Sequence, residues 1–179
     1  TLETIVDRPQ GRKLRLETLI RLRWLAVIGQ AVSVVIVAVV LQFSLPLSAC
    51  AALIALLAIA NAWLQLAYPS TLRLEPSAAL GLLTFDLLQL AALLFVTGGL
   101  TNPFAPLISV PVIISSASQP LRYSLGLVLV AILCITALTF SPFGLPWYPG
   151  ITVPFEPILL AGMWLAIVST TSFAAFYNY

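Results

Sequence analysis

Apolar residues fill this chain in long blocks, broken by short clusters of proline, glycine and charge. Most blocks run to about twenty residues, the length a helix needs to cross the hydrocarbon of a bilayer. Counted in that way, the pattern predicts helical spans over 20–41, 46–68, 77–97, 123–140 and from Glu156-Pro157 to the end. A shorter span starts at Asn102-Pro103 and ends near Gln119-Pro120. Tyr68-Pro69-Ser70 stops the second span, and Gly98-Gly99 stops the third. Between the fifth and sixth lies a proline-rich apolar segment, residues 141–150. The fold class is all-α, a polytopic membrane protein of six transmembrane helices.

Charge gives the chain a direction. All eight Lys and Arg residues lie before or at the start of the first span, at Arg73, or at Arg122. With six spans these places share one side, and the opposite loops carry none. The positive-inside rule then puts both termini in the cytoplasm and the loops near 42–46, 98–102 and 141–156 outside. Trp24, Tyr68, Tyr123, Trp147, Tyr148, Tyr177 and Tyr179 fall at span ends, as interfacial aromatics do. Leucines and Ile20 alternate with arginines from Gly11 to Trp24. That suits a basic cytoplasmic or interfacial segment over 1–19 turning into the membrane domain at 20–179. The domain places the chain in a bacterial inner membrane.

Composition narrows the chemistry. Charged residues are 8% of the chain and mean hydropathy is +1.09, far from a soluble domain. A net charge of +2 gives no case for nucleic acid. With no histidine in the sequence, bis-histidine haem ligation, histidine metal sites and histidine acid–base catalysis are excluded within this chain. Cys50 and Cys134 stand far apart in apolar runs and read as buried small hydrophobes. Leu47-Ser48-Ala49-Cys50 has the look of a lipobox, but the apolar stretch before it is too long for a signal peptide. No catalytic residue and no metal ligand set is expected.

Two features need a reason. Asp86 is the only carboxylate in the middle of a span, roughly 18 Å from Gly98 at 1.5 Å per helical residue. Gln89, Leu93 and Thr97 share its helix face, which must point inward because lipid offers Asp86 and Gln89 no partner. Gln30, Asn61 and Gln65 are the expected partners, and no arginine or lysine is expected at matching depth. For Asp86, interhelical glue is favoured over a functional role. The second feature is Thr97-Gly98-Gly99-Leu100-Thr101-Asn102-Pro103-Phe104. Glycines end the third helix, Asn102 caps the next, Pro103 suits the first helical position, and Pro111 is expected to kink the helix that follows. By itself this is a tight hairpin turn.

The stretch from Phe85 to Leu94, the heptapeptide Gly98 to Phe104, and Leu22-Arg23-Trp24-Leu25-Ala26 together resemble the membrane domain of the RegB/PrrB family, redox-sensing histidine kinases of proteobacteria. The resemblance covers nearly the whole chain and implies a transmembrane sensor domain. It associates the heptapeptide Gly98, Gly99, Leu100, Thr101, Asn102, Pro103 and Phe104 with ubiquinone. In the family a glutamine often stands where Thr101 stands here. Asn102 and Thr101 would donate to the quinone carbonyls and Phe104 would stack on the ring. Asp86, Gln89, Thr97, Trp147 and Tyr148 are possible supporting residues. The resemblance further implies a homodimer, for which Ala51, Ala52 and Ala55 offer a close-packing surface. It also implies a cytoplasmic kinase core, absent from this stretch, that passes phosphate to a response regulator. The span that ends the sequence suggests that something follows it. Other readings are an inert membrane anchor, a quinone-binding anchor subunit without a signalling role, and a small transporter, for which no internal repeat is found.

Overall fold

A computed structural model describes residues 15–69, 71–145 and 155–177. Among them the chain is all-helical, and its single β-type contact is an isolated antiparallel bridge between Arg15 and Arg73. Helix α1 (Leu16–Val35) continues through a π-helical turn (Ile36–Val40). It is followed by α2 (Leu47–Ala67) and α3 (Pro76–Val96). A 3-10 turn (Gly99–Thr101) and a 3-10 segment (Ala105–Ser109) lead into α4 (Val110–Ser118), and α5 (Leu121–Thr139) and α6 (Pro157–Tyr177) complete the order. Among the described residues five helices are long and apolar enough to cross a membrane, so the chain is a multi-pass membrane protein.

The fourth apolar segment differs from its sequence reading. Its helix begins at Ala105 rather than at Asn102-Pro103, and its first five residues are 3-10. Proline explains this. Pro106 opens the 3-10 segment, and Pro111 falls in the first turn of α4, where a missing N–H costs nothing. The expected mid-helix kink therefore becomes a junction between two helix types. At about 2.0 Å and 1.5 Å rise per residue the two parts together reach roughly 24 Å, short of a full hydrocarbon thickness of roughly 30 Å. At the other end of the chain, α1 starts at Leu16 and runs without a break through residue 19 into the first span.

The core lies between α3 and α5. Leu83, Leu87, Ala91 and Leu94 recur at helical spacing on α3 and face Leu127, Ala131, Ile135 and Leu138 of α5. Helix α4 packs on α3, α5 and α6, while α1 and α2 pair with each other at the side of the bundle. Lipid tails are as apolar as leucine, so burial alone does not drive this packing; close van der Waals fit and interhelical hydrogen bonds do. Hydroxyl contacts supply several of them. Ser109 meets Thr171 at 2.8 Å, Ser115 meets Ser124 at 3.1 Å, and Trp164 Nε1 donates to Thr136 Oγ1 at 3.1 Å. The outward faces carry Leu25, Val39, Leu66, Leu129 and Ile158. Cys50 and Cys134 are buried and free, as apolar packing residues.

Because α3 and α5 hold the core, Leu87→Ala is expected to cost about 2–5 kcal/mol of stability, and Leu129→Ala on the outward face well under 1 kcal/mol. Unfolding in nanodiscs, followed by circular dichroism, reads the difference; equal effects would contradict this packing.

Candidate functional site

At the end of α3 the backbone turns within a few residues. Thr97 Oγ1 donates back to the Leu93 carbonyl at 2.7 Å. Gly98 and Gly99 both take positive φ, 120° and 59°. Space demands glycine here as well. A Cβ at Gly98 would meet Leu145 Cα at 3.0 Å, and one at Gly99 would overlap the Leu138 carbonyl and the Ser141 side chain. The loop therefore sits tightly on the end of α5. Ser141 Oγ fastens it further by donating to the Phe95 carbonyl at 2.6 Å, and Phe95 meets Phe143 edge-on at 6.1 Å.

Asn102 is the hub of this loop. Its Nδ2 donates to the Thr97 carbonyl at 3.0 Å and to Thr97 Oγ1 at 2.8 Å, and its Oδ1 accepts from the Phe104 N–H at 2.9 Å. Asn102 thus closes an Asx-type turn and latches the loop to the end of α3. It does not cap a following α-helix as its position in the sequence suggests, because that helix starts later. Thr101 Oγ1 donates to the Gly98 carbonyl at 2.6 Å. Both predicted side-chain donors are therefore engaged within the loop. Leu100, Asn102 and Gly99 are buried, whereas Pro103 and Phe104 lie exposed, Phe104 at 42%. Trp147 and Tyr148 fall outside the described residues.

A second polar cluster lies deeper, on the same helix. Asp86 is paired with Arg23 of α1: Nε lies 2.7 Å and Nη2 2.6 Å from the same oxygen, Oδ1. The arginine is 3% exposed and its guanidinium lies 5.4 Å from the centroid of the Phe85 ring. Nε makes the hydrogen bond, whereas Nη2 makes only the charge contact, and neither Nη1 nor Nη2 has a hydrogen-bond partner among the described residues. This corrects the sequence expectation that no basic residue reaches Asp86. The reading grouped Arg23 with the charges at the start of the first span. One signal pointed the other way: Arg23 lies three, four and seven residues beyond Ile20, Leu19 and Leu16, all buried, so it continues their inward stripe. A long, flexible side chain then covers the remaining distance.

The amide partners follow expectation more closely. Gln89 and Gln30 exchange two amide hydrogen bonds, 3.0 and 3.3 Å, and Gln89 also donates to the Leu53 carbonyl at 3.1 Å. Asn61 and Gln65 do not reach Asp86. Asn61 donates to the Ile20 carbonyl at 3.0 Å, and Gln65 accepts from Trp24 Nε1 at 3.1 Å. Arg23 and Gln30 of α1 thus reach Asp86 and Gln89 of α3, and α3 is tied to the side pair at two points.

Removing one member of a buried ion pair leaves the other charged and alone. Arg23→Leu and Asp86→Leu are each expected to cost about 3–5 kcal/mol, and the double variant clearly less than their sum. A double-mutant cycle on thermal unfolding in nanodiscs tests this; additive losses would show that the pair is not coupled.

No protein-family profile matches the chain, and no solved structure matches it. Among curated proteins, a sensor histidine kinase RegB of Cereibacter sphaeroides is 41% identical over 173 residues, 94% of this chain and 37% of the relative. The sensor histidine kinase RegB of Cereibacter sphaeroides strain ATCC 17023 is 41% identical over 82 residues, 46% of this chain and 18% of the relative. The chain therefore spans little more than a third of the length of the longer match. Identity at this level over 94% of the chain makes this chain a sensor-domain member of the RegB/PrrB family.

Proposed function

We propose that this domain is the membrane sensor of a redox-responsive two-component kinase, and that it binds ubiquinone at the loop 98–104. The observation that carries the reading is the Asn102 latch beside an exposed Phe104, in a chain of this family. The loop suits a quinone head group in two respects. Phe104 and Pro103 present an apolar plate on which a flat ring can stack. Asn102 and Thr101 bring an amide and a hydroxyl to its edge, where the ring carries its carbonyl acceptors. The bound quinone supplies an oxidised form that only accepts hydrogen bonds and a reduced form that also donates them.

The protein's part in sensing is a choice of hydrogen-bond partner. The Asn102 amide donates either to Thr97, which keeps the loop latched to α3, or to a carbonyl of the oxidised ligand, which releases Thr97. A reduced ligand takes its acceptors from Thr101 Oγ1 or the loop carbonyls and leaves the latch closed. The two ligand forms thus favour two loop states, and a ligand shifts an equilibrium only through such a difference in affinity. Ser109, in the 3-10 segment that follows the loop, bonds Thr171 of α6, so movement of the loop reaches the last described helix directly. Asp86 and Gln89 hold α3 in place against α1 and are positioning residues in this scheme.

In the full protein we infer six spans with both termini cytoplasmic in a bacterial inner membrane. The described basic residues other than Arg23 lie at the end of the bundle opposite the glycine loop, which supports that orientation. Helix α6 then leads toward a cytoplasmic kinase core and its response-regulator partner. Ala51, Ala52 and Ala55 lie on an outward face of α2, where a second copy can approach closely in a homodimer.

Ubiquinone titrated into the domain in nanodiscs is expected to quench tryptophan fluorescence saturably. Asn102→Ala and Phe104→Ala should each weaken binding about fivefold, and together abolish it. Thr97→Val removes a competitor for the Asn102 amide and should leave binding equal or tighter. Absence of saturable binding, or unchanged binding in the double variant, would refute the site.

A further inference from the structure

The end of the bundle that carries Arg15 and Arg73 holds an arrangement that sensing at the loop does not use. Leu16 N donates to the Leu72 carbonyl at 3.0 Å, and Arg15 pairs with Arg73 in an antiparallel bridge. Residues directly opposite in such a bridge point to the same face, with Cβ atoms roughly 5 Å apart. Two arginine side chains from different parts of the chain thus leave the backbone on one face, and like charges directly opposite repel. Neither makes an ion pair among the described residues. Glu17, the acid nearest to Arg15 in sequence, is taken by Arg21 at 2.5 Å. Beside the bridge an open cleft of about 500 Å³ is lined by Arg15, Glu17, Thr18, Arg21, Leu22 and Leu25. Leu22 and Leu25 are exposed and continue along α1 into the apolar span.

We propose that this bridge is a binding site for the headgroup of an anionic phospholipid. The phosphate lies between the Arg15 and Arg73 guanidiniums, and one acyl chain runs along Leu22 and Leu25. The chemistry matches at both ends. Arginine presents paired N–H donors in a planar fork that suits phosphate oxygens. A phosphate between the two also removes the repulsion built into the bridge. Below the headgroup, the exposed leucines meet an acyl chain at the depth where lipid tails begin. A soluble phosphate would gain the charge but not the apolar contact, so the lipid is the better ligand. Because the bridge joins the start of α1 to the connection between α2 and α3, the bound lipid braces the end of the bundle remote from the glycine loop.

Native mass spectrometry of the whole chain tests the proposal, after extraction from phosphatidylcholine nanodiscs with and without phosphatidylglycerol. The parent is expected to retain one phosphatidylglycerol per chain in preference to phosphatidylcholine. Arg15→Gln and Arg73→Gln should each weaken retention about fivefold, the weight of one arginine at a lipid surface. Arg122→Gln, at the same end but stacked on Tyr123, should leave it unchanged. Arg15→Lys with Arg73→Lys should keep most of the binding and shows whether charge or folding was lost. Three results would overturn the proposal: no preference for phosphatidylglycerol in the parent, an equal loss in Arg122→Gln, or displacement of the lipid by inorganic phosphate.

Discussion

In an apolar solvent a polar group has no partner except those the protein brings to it, and this constraint arranges the whole bundle. Burial of leucine gains little when lipid is the alternative, so position is set by close packing and by the few groups that cannot be left alone. Helix α3 gathers them. Asp86 draws Arg23 inward from α1, Gln89 pairs with Gln30 and takes the Leu53 carbonyl, and Thr97 at its end accepts the Asn102 amide. Along one helix face the chain thus fixes α1, α2 and the glycine loop. Much of the same helix's remaining surface supplies the leucines that pack on α5.

The two polar clusters differ in kind. The Arg23–Asp86 pair is buried, charged and held by two contacts to one oxygen, so opening it is expensive. The Asn102 latch is neutral and sits at a turn beside an exposed phenylalanine, so trading one hydrogen bond for another there would cost little. The proposed sensing scheme uses both: the deep pair keeps the helices together while the shallow latch changes partners. The Ser109–Thr171 contact joins that latch region to α6, so the short, partly 3-10 fourth segment is a link between loop and final helix as much as a span.

Most of this was legible in the sequence. Span length, glycine stops and the inward face of Asp86, Gln89 and Thr97 follow from periodicity and the scarcity of polar residues. So does the pairing of Gln89 with Gln30. Three features were not, each for a physical reason. Arg23 looked like a boundary charge, because hydropathy counts a long side chain at its Cα and not where its guanidinium ends. The fourth segment starts late because Asn102 closes a turn with Phe104 N–H before any α-helix forms. The internal use of the Thr101 and Asn102 donors depends on the folded turn, which residue types alone do not reveal. In the proposed site it changes their role from open ligands to a latch that the ligand would have to displace.

The central claim is that the Asn102 amide changes partner. The most direct measurement is the nitrogen chemical shift of that side chain, followed by solid-state NMR in nanodiscs as ubiquinone is added. The account predicts a saturable shift of the Asn102 amide, with loss of its through-space contact to Thr97 and no change at Gln30 or Gln89. An Asn102 amide that stays on Thr97 while ubiquinone saturates the protein would contradict it.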